Sequence, residues 1–107
     1  MNITISEQAS GEHQPAGRLV AALCGDLDNA ASSQAERSLA PVFECTDCDV
    51  VIDCTELSYI SSSGLRLVLN IYKHTRSNAH KAILKGLTDD VREVFQLSGF
   101  LQLFIEE

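Results

Sequence analysis

The sequence predicts an α/β fold, in which residues 1–107 form one layered domain with a mixed β-sheet and helices packed on it. The run Asp49–Cys54 (DVVIDC) indicates a central strand, because continuous β-branched residues are typical of strands buried on both faces. After this run, helix-like and strand-like segments alternate, which favours parallel strands joined by right-handed crossovers. The length of 107 residues suits a single hydrophobic core.

Two strands are predicted ahead of the central one. Within Asn2–Ser6, isoleucines alternate with polar residues, as in a half-buried strand. A turn-rich loop over residues 7–17 leads to the apolar strand Arg18–Cys24, which is expected to end at Gly25. These two strands are expected to form a hairpin whose second member joins the main sheet.

A first helix is predicted over Ala30–Ala40. The preceding segment Asp26–Asn29 (DLDN) offers carboxylate and amide oxygens that can accept hydrogen bonds from the free amides of a first helical turn. Pro41 is expected to stop this helix. After the central strand, the segment Thr55–Ser63 is predicted to be a loop.

A second helix is predicted from Gly64 to about Ser77, with the apolar spacing of an amphipathic helix. Leu67 and Ile71 lie on one flank of it and are expected to be partly exposed for a partner. Arg66 and Asn70 lie on the opposite flank. The residues expected on the inner face are Leu65, Val68, Leu69 and Tyr72.

The last third of the chain predicts a strand, a helix and a final strand. The strand is expected at Lys81–Leu87, and Thr88 is placed to cap the helix that follows. Gly99 suits the position just past the end of that helix, and Phe100–Ile105 is the final strand. The inner face of the helix is expected to hold Val91, Val94, Phe95 and Ser98.

The charge balance is acidic, with a net charge of 8 − 15 = −7. This argues against a nucleic-acid partner, because affinity for nucleic acid depends largely on Lys and Arg. Residues 1–60 hold ten acidic and two basic groups, so one end or face of the domain is expected to be negative. The chain has no apolar run of roughly 20 residues and no basic, apolar start, so we expect a cytoplasmic protein without membrane insertion.

Four cysteines stand at positions 24, 45, 48 and 54. Cys45 and Cys48 form a C-x-x-C pair, which in principle serves zinc binding or thiol exchange. No second pair completes a zinc site, so all four are expected to be free thiols, with Cys24 and Cys54 buried in strands. The three histidines are expected on the surface.

Three serines stand between the central strand and the next helix, in Tyr59–Leu65 (YISSSGL). In open α/β sheets, ligands and chemistry gather at this carboxyl end of the strands. The serines fit simple helix capping. They do not fit the G-x-S-x-G elbow of a hydrolase, because Ile60 occupies the first glycine position, and the lysine of a P-loop is missing. A further interpretation is that one of the serines is phosphorylated, since the amides of a helix N-terminus tolerate phosphate.

The stretch Val50–Lys73 (VVIDCTELSYISSSGLRLVLNIYK) resembles the bacterial anti-sigma factor antagonists of the STAS domain family. Gly25–Asp28 (GDLD) is similar to a Gly-x-Leu-Asp turn that lies beside the phosphorylation loop in that family. The order of the predicted elements agrees with the family over essentially the whole chain. The positions that match the family pattern are Asp53, Ile60, Ser62, Ser63, Gly64 and Leu65.

This resemblance implies a regulatory binding protein without catalysis of its own. Unphosphorylated, it would bind an anti-sigma factor that is also an ATP-dependent serine kinase, and so free a sigma factor. The resemblance assigns the phosphate to Ser62, and a serine phosphatase would restore the active form. Ser61 stands where the family has Asp, which leaves Ser61, and also Ser63, as alternative acceptors.

The partner is expected to dock around these serines on a negative rim, where phosphate adds further negative charge. The alternative is a constitutive accessory subunit of a stress-signalling or lipid-transport complex with the same fold. We expect a monomer when the protein is free, with no cofactor, metal or catalytic residue. The predicted contact residues are Asp26, Asp28, Ser61, Ser63, Gly64, Arg66, Leu67, Asn70 and Ile71.

Overall fold

A five-stranded sheet organises the computed structural model, which describes residues 1–8 and 17–107. The strands lie in the order β1-β2-β3-β4-β5, with β1 antiparallel to β2 and every later pair parallel. This confirms the mixed sheet and the pairing of the first two strands. The strands are β1 (Asn2–Gln8), β2 (Gly17–Leu27), β3 (Cys48–Ile60), β4 (Ala82–Lys85) and β5 (Ile105–Glu106).

The helices connect consecutive parallel strands. Because each strand lies beside its predecessor, right-handed crossovers bring the helices to one face of the sheet, and that face carries the hydrophobic core. Fully buried core residues include Ile52 of β3, Leu84 of β4 and Phe95. The helices are α1 (Ser32–Ser38), α2 (Ala40–Glu44), α3 (Ser62–Ser77) and α4 (Asp89–Ser98), followed by a 3₁₀ turn at Leu101–Leu103.

On the opposite face of the sheet, an ion pair connects two residues that are distant in the strand order. Arg18 of β2 has its Nη1 atom 3.6 Å from the carboxylate of Glu107, beyond the end of β5. Since β3 and β4 separate β2 from β5, this pair extends across two strands. Val51 and Ile83, which point to the same face, are each only 2% exposed.

Both strands that lead to the serines are longer than predicted. The bulged pairing of β2 continues past Gly25, whose φ of +100° suits glycine, and reaches Leu27. β3 likewise reaches Ile60, so most of the loop predicted over Thr55–Ser63 is strand. The two extensions pair with each other. Because their residues are partly polar, they do not form the apolar runs that indicate a strand in a sequence.

Other boundaries also differ from the predictions; among them, β4 is shorter at both ends, and α3 begins two residues earlier. At the two ends of the loop expected over residues 7–17, residues 7–8 belong to β1 and Gly17 belongs to β2; the rest of it, with His13, lies outside the described residues. Pro41 does not end the first helix but stands in the first turn of α2, where its missing N–H costs nothing. The final strand is only Ile105–Glu106, because residues 101–103 form the 3₁₀ turn.

Two expectations about the cysteines are wrong. Cys45 and Cys48 form a disulfide, with Cα atoms 6.2 Å apart, because the short connection from α2 to β3 brings them together. Cys24 is exposed, since the alternation of β2 turns Leu23 toward the helices and Cys24 away from them. Cys54 is buried as expected, and burial raises the pKa of its thiol to about 12.

The histidines of the described chain are half-buried rather than on the surface. The Nε2 atom of His74 lies 2.8 Å from the carbonyl oxygen of Cys45. The Nδ1 atom of His80 lies 3.0 Å from the carboxylate of Asp49. Both rings therefore connect α3 and the residues after it to the region where β3 begins.

Across the described ranges, no helix is both long and apolar enough to cross a bilayer.

Helix α4 agrees closely with its prediction. The hydroxyl of Thr88 accepts a hydrogen bond from the amide of Val91 at 3.4 Å, and Gly99 follows the last turn with a φ of +80°. Val91 and Phe95 are buried and Val94 is half-buried, whereas Ser98 is exposed.

Helix α3 is rotated relative to its prediction. Leu67 is 6% exposed and Ile71 is fully buried, so these two residues belong to the core and not to an exposed flank. Leu69 and Tyr72, expected inside, are only half-buried. The sheet contacts one side of α3, and α1 and α2 also pack against it, so the buried arc is wider than one stripe.

The burial of Ile71 can be tested by truncation. Ile71→Ala should lower the free energy of unfolding by about 2–5 kcal/mol, because it leaves a cavity in the core. Asn70 is exposed, so Asn70→Ala should change the free energy of unfolding by less than about 0.5 kcal/mol. Urea denaturation of both variants measures the difference, and similar small losses for both would show that Ile71 is not a core residue.

Candidate functional site

Ser61 joins the ends of β2 and β3 to the start of α3. Its amide donates a hydrogen bond to the carbonyl of Leu27 at 2.8 Å. Its hydroxyl accepts from the amide of Gly64 at 3.2 Å, which makes it the N-cap of α3. Ser61 is only 7% exposed, so it is buried, and its hydroxyl stabilises the start of α3.

Gly64 allows the first turn of α3 to lie against the strand ends. A Cβ atom at this position would lie 2.8 Å from Cγ of Leu27 and 2.9 Å from Cγ1 of Ile60. Both distances are well below van der Waals contact, so any larger residue would push the helix away. Gly64 is therefore a packing residue, and it is buried in the structure; the partner contact predicted for it stays a prediction.

The next two serines are presented outward. Ser62 is the first residue of α3 and is exposed, whereas Ser63 is half-buried. The three neighbouring serines thus occupy three different environments. Ser62 offers the most accessible hydroxyl at the N-terminus of the helix.

The two predicted aspartates lie at the end of β2, beside the end of β3. Asp26 pairs in register with Tyr59 and is exposed. Asp28 is half-buried, and its Oδ1 atom accepts a hydrogen bond from the amide of Ala31 at 2.8 Å. The carbonyl of Asp28 also accepts from the hydroxyl of Ser32 at 2.9 Å. Asp28 therefore holds the turn into α1, and Asp26 is the more available carboxylate.

A shallow polar groove separates α1 from α3 next to the serines. Four of the predicted partner residues line it, with Leu67 as a buried apolar member and Arg66 and Asn70 exposed. Ile71 does not belong to this surface. The residues that line the groove are Ser32, Ser33 and Glu36 from α1 and Ser63, Arg66, Leu67 and Asn70 from α3.

Sequence reasoning missed four surface residues near the serines. Tyr59 is 52% exposed, two positions before the buried Ser61, and its one signal in the sequence is an aromatic residue directly ahead of the serine run. Ser32, Ser33 and Glu36 reach the groove only through the packing of α1 against α3. No periodicity within α1 predicts that contact.

Asp53, which matches the family pattern, has a structural role. Its Oδ1 atom accepts hydrogen bonds from the hydroxyl of Thr55 at 2.6 Å and from the amide of Thr55 at 3.0 Å. The Thr55 hydroxyl holds the pKa of this carboxyl below its usual value of 3.8; partial burial opposes this, and the Thr55 amide and Lys85 assist it.

The arrangement suits recognition by a partner. It presents an accessible serine hydroxyl, an exposed aromatic ring, an exposed carboxylate and a polar groove along one edge of the molecule. Within residues 1–8 and 17–107, no group of three or more His, Cys, Asp and Glu side chains is placed to hold a metal ion.

Comparisons with known proteins agree on one family. The model of the STAS domain matches residues 11–107. BtrV of Bordetella bronchiseptica, a candidate anti-sigma factor antagonist, is 42% identical over 88 residues, which cover 82% of this chain and 76% of BtrV. The anti-sigma F factor antagonist of Lysinibacillus sphaericus is 33% identical over 82 residues, covering 76% of this chain and 70% of that protein.

The fold has a counterpart among solved structures. The anti-sigma factor antagonist SpoIIAA in its unphosphorylated form superposes with a TM-score of 0.72 and 25% identity. The match covers 97% of this chain and 88% of the SpoIIAA chain. This likeness confirms the layered α/β fold predicted from the sequence.

The capping role of Ser61 predicts a specific loss of stability. Ser61→Ala should cost about 1 kcal/mol, because the buried amide of Gly64 loses its acceptor. Ser63→Ala, two residues on, should change stability by less than about 0.5 kcal/mol. Denaturant unfolding compares the two variants, and equal effects would contradict the assignment of the cap.

The environment of Asp53 predicts a pH effect. Because its pKa is lowered in the folded state, the contact with Thr55 stabilises the fold above the ordinary carboxyl pKa, and this contribution is lost as pH falls through the lowered value. Thr55→Val should raise the pKa of Asp53, as read from carboxyl ¹³C shifts in an NMR titration. Thr46→Val removes an exposed hydroxyl elsewhere and should leave the Asp53 titration unchanged.

Proposed function

The chain belongs to the STAS domain family, and from this premise we propose that it is an anti-sigma factor antagonist switched by phosphorylation of Ser62. Unphosphorylated, it binds an anti-sigma factor that has serine kinase activity, and the sigma factor is released. Phosphorylation breaks the complex, and a serine phosphatase restores the binding form. The protein acts as a binding module in the cytoplasm and catalyses nothing itself.

The exposure of Ser62 carries this proposal. Of the three serines, Ser61 is buried and committed to the cap of α3, and Ser63 is half-buried beside the groove. Ser62 is exposed at the first position of the helix, where a kinase can reach its hydroxyl. This argument is independent of the family pattern and selects the same residue.

The phosphoryl transfer uses the hydroxyl of Ser62 as the nucleophile. Its Oγ atom attacks the γ-phosphorus of ATP, the new Oγ–P bond forms, and the bond from phosphorus to the bridging oxygen of ADP breaks. The hydroxyl proton leaves to a base of the kinase, and ADP departs. The antagonist contributes only a well-placed substrate serine on a rigid helix.

The phosphate acts on the partner rather than on the fold. It adds about −1.5 to −2 charge near neutral pH, at a helix N-terminus whose free amides favour negative charge. The exposed Asp26 already gives this edge negative character. A partner surface fitted to the neutral hydroxyl then faces a bulky anion, so the complex dissociates while the domain stays folded.

Two relatives support this assignment by name. BtrV is a candidate anti-sigma factor antagonist, and the Lysinibacillus sphaericus protein antagonises an anti-sigma F factor. The chain covers more than two thirds of each. The alternative of a constitutive accessory subunit has the same fold and differs in needing no phosphate on Ser62.

Phosphorylation can be measured directly. The protein is incubated with ATP and a serine kinase/anti-sigma factor from the same genome, and intact-protein and peptide mass spectrometry locate the product. One phosphate on Ser62 is expected, lost in Ser62→Ala and retained in Ser63→Ala. A stable complex without any phosphate would instead favour the constitutive subunit, and a phosphate on Ser61 or Ser63 would contradict the choice of Ser62.

A further inference from the structure

Helix α3 is basic, although the chain as a whole is acidic. It contains Arg66, Lys73 and Arg76 and no Asp or Glu, whereas the chain as a whole carries a net charge of −7. Arg66 stands four residues after Ser62, and both side chains are exposed. Residues four apart on a helix are surface neighbours.

The geometry of an α-helix points the Arg66 side chain toward Ser62. Each Cα–Cβ bond in a helix tilts toward the N-terminus, so a long side chain covers the turn that precedes it. The turn that precedes Arg66 begins at Ser62. An acidic group N-terminal to a basic one at this spacing is also the more favourable order of the pair.

Arg66 forms no ion pair with the described residues in the unphosphorylated protein. Among the residues that the structure describes, no carboxylate lies within 4.0 Å of its guanidinium, although Glu36 lines the same groove. Because Arg66 borders the groove between α1 and α3, its charge is available there to an acidic group of a partner.

We propose that Arg66 is the intramolecular ligand of the phosphoryl group on Ser62. This inference rests on the proposed function, in which Ser62 is phosphorylated. The planar guanidinium can donate two hydrogen bonds to the phosphate oxygens, and phosphate is its preferred kind of partner. Phosphorylation then withdraws Arg66 from the groove, so the partner surface loses a cation at the same time as it gains an anion.

The other charged groups around Ser62 do not replace Arg66. Asp26 and Asp28 at the end of β2 and Glu36 on α1 are acidic and oppose ionisation of a phosphate. Lys73 lies 11 residues along the helix, roughly 16 Å from Ser62 by the rise of an α-helix. The free amides at the start of α3 favour the phosphate, but they are the same in every side-chain variant of Arg66.

The contact can be measured through the second ionisation of the phosphate. Phosphoserine is incorporated at position 62 during translation, so that no kinase is required, and ³¹P NMR follows the phosphate from about pH 4 to 8, since its second pKa lies near 6. Removing a nearby cation makes the dianion less favourable. The second pKa should therefore be higher by roughly 0.3 in Arg66→Gln than in the wild type, as expected for an exposed helical ion pair.

Matched variants make the result specific. Lys73→Gln removes the same charge from the same helix two turns further on and should titrate like the wild type. Arg66→Lys keeps the charge and should recover part of the difference. The inference is overturned if Arg66→Gln titrates like the wild type, or if Lys73→Gln shifts the second pKa as much as Arg66→Gln.

This experiment separates the inference from the proposed function. If the phosphate of Arg66→Gln has the same second pKa as that of the wild type, and the kinase does modify Ser62, the role of Arg66 is refuted but the proposed function is not. A clear difference between the two titrations supports the contact whatever the kinase does, and the mass-spectrometric experiment then decides the switch.

Discussion

The parallel pairing of the last residues of β2 and β3 is the constraint on which the site depends. The hydrogen bond from the amide of Ser61 to the carbonyl of Leu27 extends this pairing to the point where α3 begins. Gly64 then lets the helix approach Leu27 and Ile60 more closely than any side chain would permit. Because both strand ends and the first helical turn are locked together, Ser62 is held at a defined position rather than on a mobile loop.

The consecutive serines of the run have different structural environments. Ser61 accepts the hydrogen bond from the amide of Gly64 and so caps α3. Ser is among the strongest N-cap residues, so Ser61 defines the start of the helix. Ser62, the next residue, is exposed at the first position of the helix.

The charge distribution gives the proposed switch its physical basis. The β2 end contributes the exposed Asp26, whereas α3 contributes the exposed Arg66, four residues after Ser62. A phosphate on Ser62 would be repelled by a nearby carboxylate and attracted by Arg66, which the helical spacing makes its neighbour. In the proposed switch, phosphorylation therefore changes the charge at the polar groove and leaves the fold that lines it unchanged.

The sequence by itself determined the α/β order of elements and the limits of α4, because these follow from local periodicity and local capping. The choice of Ser62 follows from a short motif and stays a prediction. Thr88 and Gly99 mark the ends of α4 through contacts within one turn, which are readable along the chain. The sequence could not determine that β3 reaches Ile60, since a strand of mixed polarity persists only while a neighbour, here the extended β2, supplies hydrogen bonds. It also could not place Leu67 and Ile71 in the core: periodicity shows that α3 has an apolar side, but the packing of α1, α2 and the sheet around α3 decides how wide the buried arc is. Glu36 joined the candidate site only in the folded protein, because the packing of α1 against α3 brings it to the groove beside Ser63.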